Sequence, residues 1–98
     1  AGGIKITEPA LDLGIIAAIA SSFKDQVIDP HMVVFGEVGL TGEVRGISMA
    51  EKRIIECSKM GFKSCVIPKA NLKGLKSIDG IKIYGVENVN EALQIILK

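Results

Sequence analysis

Between residues 11 and 20 the sequence LDLGIIAAIA is apolar except at Asp12 and Gly14. Wound as a helix, with about 100° between successive residues, its Leu, Ile and Ala side chains cover almost the whole circumference. A helix apolar all round must be buried on nearly every side. That is a heavy demand on a chain of 98 residues, which forms one domain and has little surface to spare for a core. The run is too short to cross a bilayer, and no basic region leads it into a signal peptide. The chain therefore reads as cytoplasmic, with no membrane association.

The helix opens in TEPALDLG. Pro9 suits its first position, where a missing N–H costs nothing. Asp12 places negative charge at the positive end of the helix dipole. The helix is expected to end at Phe23 or Lys24. Upstream, GGIKI alternates and predicts a short strand. The rest of the chain offers only a few short strands and two further helices as cover, and AGGIKI begins as though in mid-sheet. We therefore expect an N-terminally truncated piece, with residues 1–98 the second part of a single larger domain, whose missing N-terminal half is the natural partner. The alternative is an alanine-rich helix that tolerates exposure.

Downstream, HMVVFGEVGLTGEVRGI reads as two strands around the turn GLTG, on the β-forming weight of Val33, Val34, Phe35 and Val38. SMAEKRIIECSKMG reads as a helix. Ser48 and Glu51 have the spacing of a capping box, Ala50, Ile54 and Cys57 form its apolar stripe, and Gly61 suits the position just past its end. SCVIP is a buried strand stopped by Pro68, and KANLKGLKSIDG is a basic loop. IKIYGV is a last strand. NVNEALQIILK is a last helix, capped by Asn88 with Glu91, carrying Val89, Ala92, Leu93 and Ile96 at helical spacing. This order of elements predicts an α+β, or mixed α/β, fold.

The chemistry is marked by absences. A formal net charge of +1 gives no global field for nucleic acid. Lys69, Lys73 and Lys76 form one local patch that could bind the phosphates of DNA. No aromatic residue interleaves there and Asp79 follows, so a solvated loop explains the patch equally well. Cys57 and Cys65 lie in apolar contexts with no second pair, as buried reduced thiols rather than metal ligands. The glycines of GEVGLTG fit a hairpin, not a dinucleotide loop, and there is no P-loop spacing. His31 stands alone in a loop, with no serine or cysteine placed beside it as a nucleophile. Glu37 and Glu43 flank the hairpin turn and could form a carboxylate pair, but read better as cross-strand surface charges. No cofactor or metal is expected in this chain.

Together, EPALDL, VVFGEVGLTGE and GFKSCVIPKAN resemble the C-terminal half of the Lon-type protease domain. The resemblance is greatest to the Lon-like domain that ends bacterial DNA repair proteins of the RadA (Sms) family, and it runs from about Gly2 to Lys98. It implies a ribosomal protein S5 domain 2-like fold of the Lon proteolytic-domain type, entered partway. Active members of the Lon family carry a serine nucleophile in a G-P-S-A-G turn at the head of a helix, and a lysine base in a later helix. Laid on this sequence, the serine falls on Ala10, the lysine on Arg53, and an assisting threonine on Phe35. Alanine has no side-chain oxygen to attack a carbonyl. Arginine stays protonated, whereas a general base must lose its proton near working pH. Lys52 points about 100° away around the helix and cannot stand in. Taken alone, Ala10 is simply a good helix former, and Arg53 could pair with Glu56 at i+3.

The resemblance implies a non-catalytic Lon-like domain of a DNA repair and recombination ATPase whose RecA-like motor lies elsewhere in the parent protein. Its role would be to assemble a homo-oligomeric ring, a hexamer, and to support DNA engagement. Two alternatives stand beside it. One is a Lon-type Ser-Lys peptidase, disfavoured because both dyad positions are lost. The other is a degenerate Lon-like domain of a magnesium-chelatase-like ATPase.

Overall fold

The computed structural model describes residues 8–97; the strand expected at GGIKI lies outside them. Pro9–Leu11 makes one turn of 3-10 helix and runs directly into α1, Asp12–Lys24. Then follow β1 (Met32–Val34), β2 (Glu37–Val38), β3 (Val44–Arg45) and α2 (Ala50–Lys59). After them come β4 (Ser64–Pro68), a 3-10 turn at Lys69–Asn71, β5 (Lys82–Val86) and α3 (Val89–Ile96).

β4 is apolar at every position after Ser64 and is buried on both faces. It sits in the middle of a parallel sheet of order β1-β4-β5. The register aligns Val33, Cys65 and Ile83 across the sheet, and on the opposite face Val34, Val66 and Tyr84. The first row packs against Ile54 and Cys57 of α2. The second packs against Leu13 and Ala17 of α1 and Ala92 and Ile96 of α3. Strand alternation thus divides one apolar sheet between two cores, the arrangement a parallel sheet requires. The result is a small mixed α/β domain, as the order of elements predicted at the level of class.

Two sequence expectations are corrected. HMVVFGEVGLTGEVRGI does not form one hairpin. Only β2 and β3 pair around GLTG, while β1 joins the parallel sheet beside β4. Val33 and Val34 are both apolar and need cover on both faces, which an isolated hairpin cannot supply. The hairpin closes with Gly42 at φ 86° and its N–H donating to the Gly39 carbonyl at 3.0 Å. The Val44 N–H donates to the Glu87 carbonyl, and the Val89 N–H to that of Gly42, fastening the hairpin to the junction of β5 and α3.

Secondly, Ser48 and Glu51 form no capping box. The residue before α2 is Met49, in left-handed conformation (φ 57°) and with no side-chain cap. The chain enters α2 held from outside: the Ser48 carbonyl accepts from Arg53 Nε, and Ile47 is bonded to Asn71. The far end of α2 is as expected. Gly61, at φ 98°, donates its N–H to the Ser58 carbonyl and Phe62 donates to that of Cys57, both at 3.1 Å. This pair of bonds is the Schellman motif.

The first helix is covered on one side only, which accords with the need for further cover read from its sequence. Leu13 and Ala17 are buried against the sheet, but Leu11, Ile15, Ile19 and Phe23 are exposed. No helix among the described residues is long and apolar enough to cross a membrane.

The two caps predicted from sequence now separate by experiment. Asn88 Oδ1 accepts the Glu91 N–H at 2.8 Å, and Glu91 Oε1 accepts that of Glu87 at 2.7 Å. Asn88→Ala should therefore cost about 0.5–2 kcal/mol in urea unfolding. Ser48→Ala should stay within about 0.5 kcal/mol of the parent, as for a surface site without such a bond.

Candidate functional site

The head of α1 is welded to the strand region through backbone. The Ala10 carbonyl accepts the Gly36 N–H at 2.8 Å, and the Gly36 carbonyl accepts that of Leu13 at 3.0 Å. This approach needs a residue without a side chain. A Cβ on Gly36 would lie 2.9 Å from Val44 Cγ1 and 3.2 Å from Leu13 Cβ. The Phe35 N–H continues the β1–β4 ladder onto the Val66 carbonyl at 2.9 Å. Alternation sends the Phe35 ring to the α2 side, while the next residue meets the Ala10 turn.

Arg53 reaches this place from α2. Its Nη2 lies 2.9 Å from Glu8 Oε1, and its Nε donates to the Ser48 carbonyl at 2.9 Å. Its guanidinium carbon stands 5.8 Å from the centre of the Phe35 ring, within cation–π range. Of the three positions singled out by resemblance, Phe35 and Arg53 touch each other, while Ala10 is linked to them through neighbours, Gly36 on one side and Glu8 on the other. Arg53 is no ordinary surface arginine: its side chain is only 25% exposed. Nor does it pair with Glu56, which pairs instead with Lys59 at 3.7 Å.

Sequence reasoning missed two residues of this arrangement. Glu8 is the partner of Arg53 across 45 positions; its signal was an acid beside the turn in TEPA, read only for its proline. Asn71 is the other. Its Oδ1 accepts the Ile47 N–H and its Nδ2 donates to the Ile47 carbonyl, both at 2.9 Å. The side-chain amide so mimics a strand neighbour and fixes the approach to α2.

A cleft of about 190 Å³ lies here, lined by Glu8, Pro9, Ala10, Glu37 and Ser48. An apolar hollow of about 430 Å³, lined by Phe35, Met49, Lys52, Arg53 and Cys57, flanks it. The Ala10 methyl is buried. The Arg53 guanidinium is already bound to the Glu8 carboxylate. The Ser48 hydroxyl has no hydrogen-bonded base among the described residues. The arrangement holds an ion pair and shapes a cleft whose lining includes the Glu8 and Glu37 carboxylates.

Of the other sequence candidates, Glu37 lines this cleft and Cys57 the hollow beside it. Lys69 is paired with Glu87 at 3.5 Å. Lys73 and Lys76 lie in the loop between the second 3-10 turn and β5. Exposed His31 caps its own loop, its N–H donating to Asp29 Oδ1 at 2.8 Å. Burial pushes the Cys65 thiol up to about 12, and burial also raises that of Cys57; raised thiols are poor nucleophiles and ligands. Among the described residues, no three His, Cys, Asp or Glu side chains are grouped to hold a metal. Glu37 meets Arg45 across the hairpin at 3.9 Å, whereas Glu43 pairs with the same arginine two residues along its own strand at 2.9 Å.

The model of the family described as subunit ChlI of Mg-chelatase matches residues 1–71. The chain is also similar to the DNA repair protein RadA of Halalkalibacterium halodurans, with 50% identity over 97 residues, 99% of this chain and 21% of that protein. With the Bacillus subtilis protein of the same name it shares 53% over 94 residues, 96% of this chain and 20% of the relative. With that of Streptococcus pneumoniae it shares 44% over 94 residues, 96% of this chain and 22% of the relative. The chain thus spans about a fifth of the length of the curated relatives it matches.

Two outcomes follow from the geometry. Asn71→Ala strips two partners from a half-buried backbone unit and should cost about 1–3 kcal/mol, measurable by urea unfolding. Hydrogen bonds from Thr41 and then Arg45 hold the Glu43 carboxyl at about 2, against an ordinary 4.5. A depressed native pKa stabilises above the unfolded value and is lost as pH falls through the folded one. Thermal melts of Glu43→Gln should therefore lose less stability than the parent between pH 4.5 and 2.

Proposed function

This chain belongs to the family described as subunit ChlI of Mg-chelatase, and from that membership and its similarity to RadA proteins we propose that it is the Lon-like, non-catalytic module of a RadA-type DNA repair ATPase. On this reading its fold is the Lon proteolytic-domain variety of the ribosomal protein S5 domain 2-like class. The parent acts in the cytoplasm, and its ATPase motor lies outside these residues. The module serves assembly of a homo-oligomeric ring, a hexamer, through head-to-tail contacts that close when the rotation allows.

One observation carries the non-catalytic reading. Where a Ser-Lys peptidase needs a hydroxyl and a neutral amine, the cleft presents the Ala10 methyl, and the Arg53 guanidinium of the neighbouring hollow is locked to Glu8 at 2.9 Å. Uncharged arginine is not accessible in water, so Arg53 cannot take a proton from a nucleophile as the lysine of a Ser-Lys dyad would. DNA engagement through the basic loop is the weaker part of the proposal. Glu87 already neutralises Lys69, which leaves Lys73 and Lys76 to meet phosphates, each able to release a counterion.

The match to the ChlI family favours a second reading, a degenerate Lon-like domain of a magnesium-chelatase-like ATPase. The parent sequence separates the two: a RecA-type motor preceding this module supports the first, and a chelatase-type ATPase the second.

Casein and peptide hydrolysis by the purified parent should stay at background. Sustained cleavage that disappears on mutating this cleft would overturn the reading. The double variant Ala10→Ser with Arg53→Lys should also remain inactive. A lysine beside the Glu8 carboxylate would be held in its charged form, and its hydroxyl partner would replace a buried methyl.

A further inference from the structure

An aspartate or asparagine side chain can react with the backbone nitrogen of the next residue when both groups are free. The chain has four aspartates and three asparagines, and the fold disarms all but one. The Asp12 carboxylate accepts the Val38 N–H at 3.1 Å, and the Leu13 N–H is taken by the Gly36 carbonyl. Asp25 precedes Gln26, whose N–H donates to the Ser21 carbonyl at 3.1 Å. Asp29 accepts the His31 N–H at 2.8 Å, and Pro30 after it has no N–H to offer. Asn71 is bonded on both sides to Ile47, and Asn88 caps α3. The N–H groups that follow them, of Leu72 and Val89, donate to the carbonyls of Lys69 and Gly42. Asn90 lies inside α3, and the Glu91 N–H beyond it is bonded to Asn88.

Asp79 is the exception. It is exposed, in the turn before β5, and its carboxylate has no hydrogen bond or ion pair among the described residues. The Gly80 N–H likewise has no acceptor among them. Gly80 stands at φ 82°, and a Cβ there would meet only Ser58 Oγ, at 3.7 Å. Glycine also leaves the turn its torsional freedom and puts no side chain over the nitrogen. We propose that Asp79–Gly80 is a site of spontaneous backbone modification, at which aspartate isomerises to isoaspartate. The Gly80 nitrogen gives its proton to solvent and attacks Asp79 Cγ. An N–C bond forms, a C–O bond of the carboxyl in its acid form breaks, and one water leaves a five-membered succinimide. Water then adds at the Asp79 main-chain carbonyl, the older C–N bond breaks, and the carbon becomes a free carboxylate. The peptide link now runs through Cγ. One water has left and one has entered, so no oxidant, cofactor or change of mass is involved.

The place gives the change a structural consequence. The Asp79 carbonyl accepts Ser58 Oγ from the last turn of α2 at 3.1 Å. On its two sides Ile78 and Ile81 pack into the cluster that holds Ile54 and Cys57. Just beyond, the Lys82 N–H opens β5 by donating to the Lys63 carbonyl at 2.9 Å. Isomerisation lengthens the main chain here by one carbon and converts the acceptor of Ser58 into a charged side group. It therefore loosens the joint between α2 and β5.

Peptide mapping tests this directly. The intact parent is held folded at neutral pH and body temperature, sampled over weeks and digested with trypsin. Cleavage after Lys76 and Lys82 releases Ser77–Lys82, which contains a single aspartate. We expect this peptide to split with time into two chromatographic peaks of identical mass. The new peak should accept methyl groups from an isoaspartyl methyltransferase. The peptides carrying the other aspartates and the asparagines should stay single over the same period. A single unmethylated peak for Ser77–Lys82 throughout would overturn the proposal. So would isoaspartate spread evenly over the other peptides, because the fold would then be selecting nothing. Asp79→Glu supplies an independent reading, since its longer side chain would have to close a six-membered ring, a much slower reaction. The variant should lose the second peak while keeping the melting temperature of the parent. A second peak of undiminished size in that variant would also sink the idea.

Discussion

Everything in this fold is placed by the need to cover β4 on both faces. Its residues from Cys65 to Pro68 are buried without exception, so helices must lie above and below, and the strands beside it must be parallel and apolar on both sides. The cysteine and isoleucine positions of β4 call for α2, and Val66 calls for α1 and α3. The ladder does not stop with β1: the Phe35 N–H adds one more bond to the Val66 carbonyl. That extra residue decides where the cleft forms. Phe35 turns to the α2 side and Gly36 to the head of α1, at the carboxyl ends of parallel strands, where α/β folds characteristically place their sites.

What stands at that place is a static electrostatic contact. Arg53 and Glu8 join the entry to α1 with the first turn of α2, and the Phe35 ring lies beneath the guanidinium. The pair is partly exposed, and such pairs contribute on the order of 0–1 kcal/mol, so its value lies more in geometry than in stability. Arginine suits this role because its planar fork bonds Glu8 and the Ser48 carbonyl at once. The same permanent charge that makes it a good tie makes it useless as a base. On the proposed reading, a site once suited to proton transfer is used to hold segments together.

Much of this was legible in the chain. The apolar run of SCVIP, the glycine that ends α2 and the Asn88–Glu91 cap are local signals, each decided by neighbours a few residues away, and each was read correctly. The cap at Ser48 failed because a long-range partner intervened. Asn71 and Arg53 hold the chain before α2, and the local motif lost to that tertiary restraint. The pairing of β1 failed for a related reason. Hairpin propensity is local, whereas the choice between β2 and β4 as a neighbour depends on which one completes two cores. Around the cleft, the resemblance drew attention to Ala10, Phe35 and Arg53, while the contacts of Glu8 and Asn71 carried no local signal, because their partners lie 45 and 24 positions away.

By itself, then, the sequence determined the inventory: three helices, a buried central strand, a tight hairpin turn, and the absence of a nucleophile and a titratable base at Ala10 and Arg53. These depend on side-chain chemistry and short-range periodicity, which are present in the chain before it folds. The tertiary structure decided what those parts face. It joined Glu8 to Arg53, moved β1 out of the hairpin, and buried α1 on one side while leaving its Leu11-to-Phe23 ridge in water. No local rule fixes such choices, because a helix apolar all round carries no mark of which side the sheet will take. Only the competition among all apolar surfaces for one small core settles it.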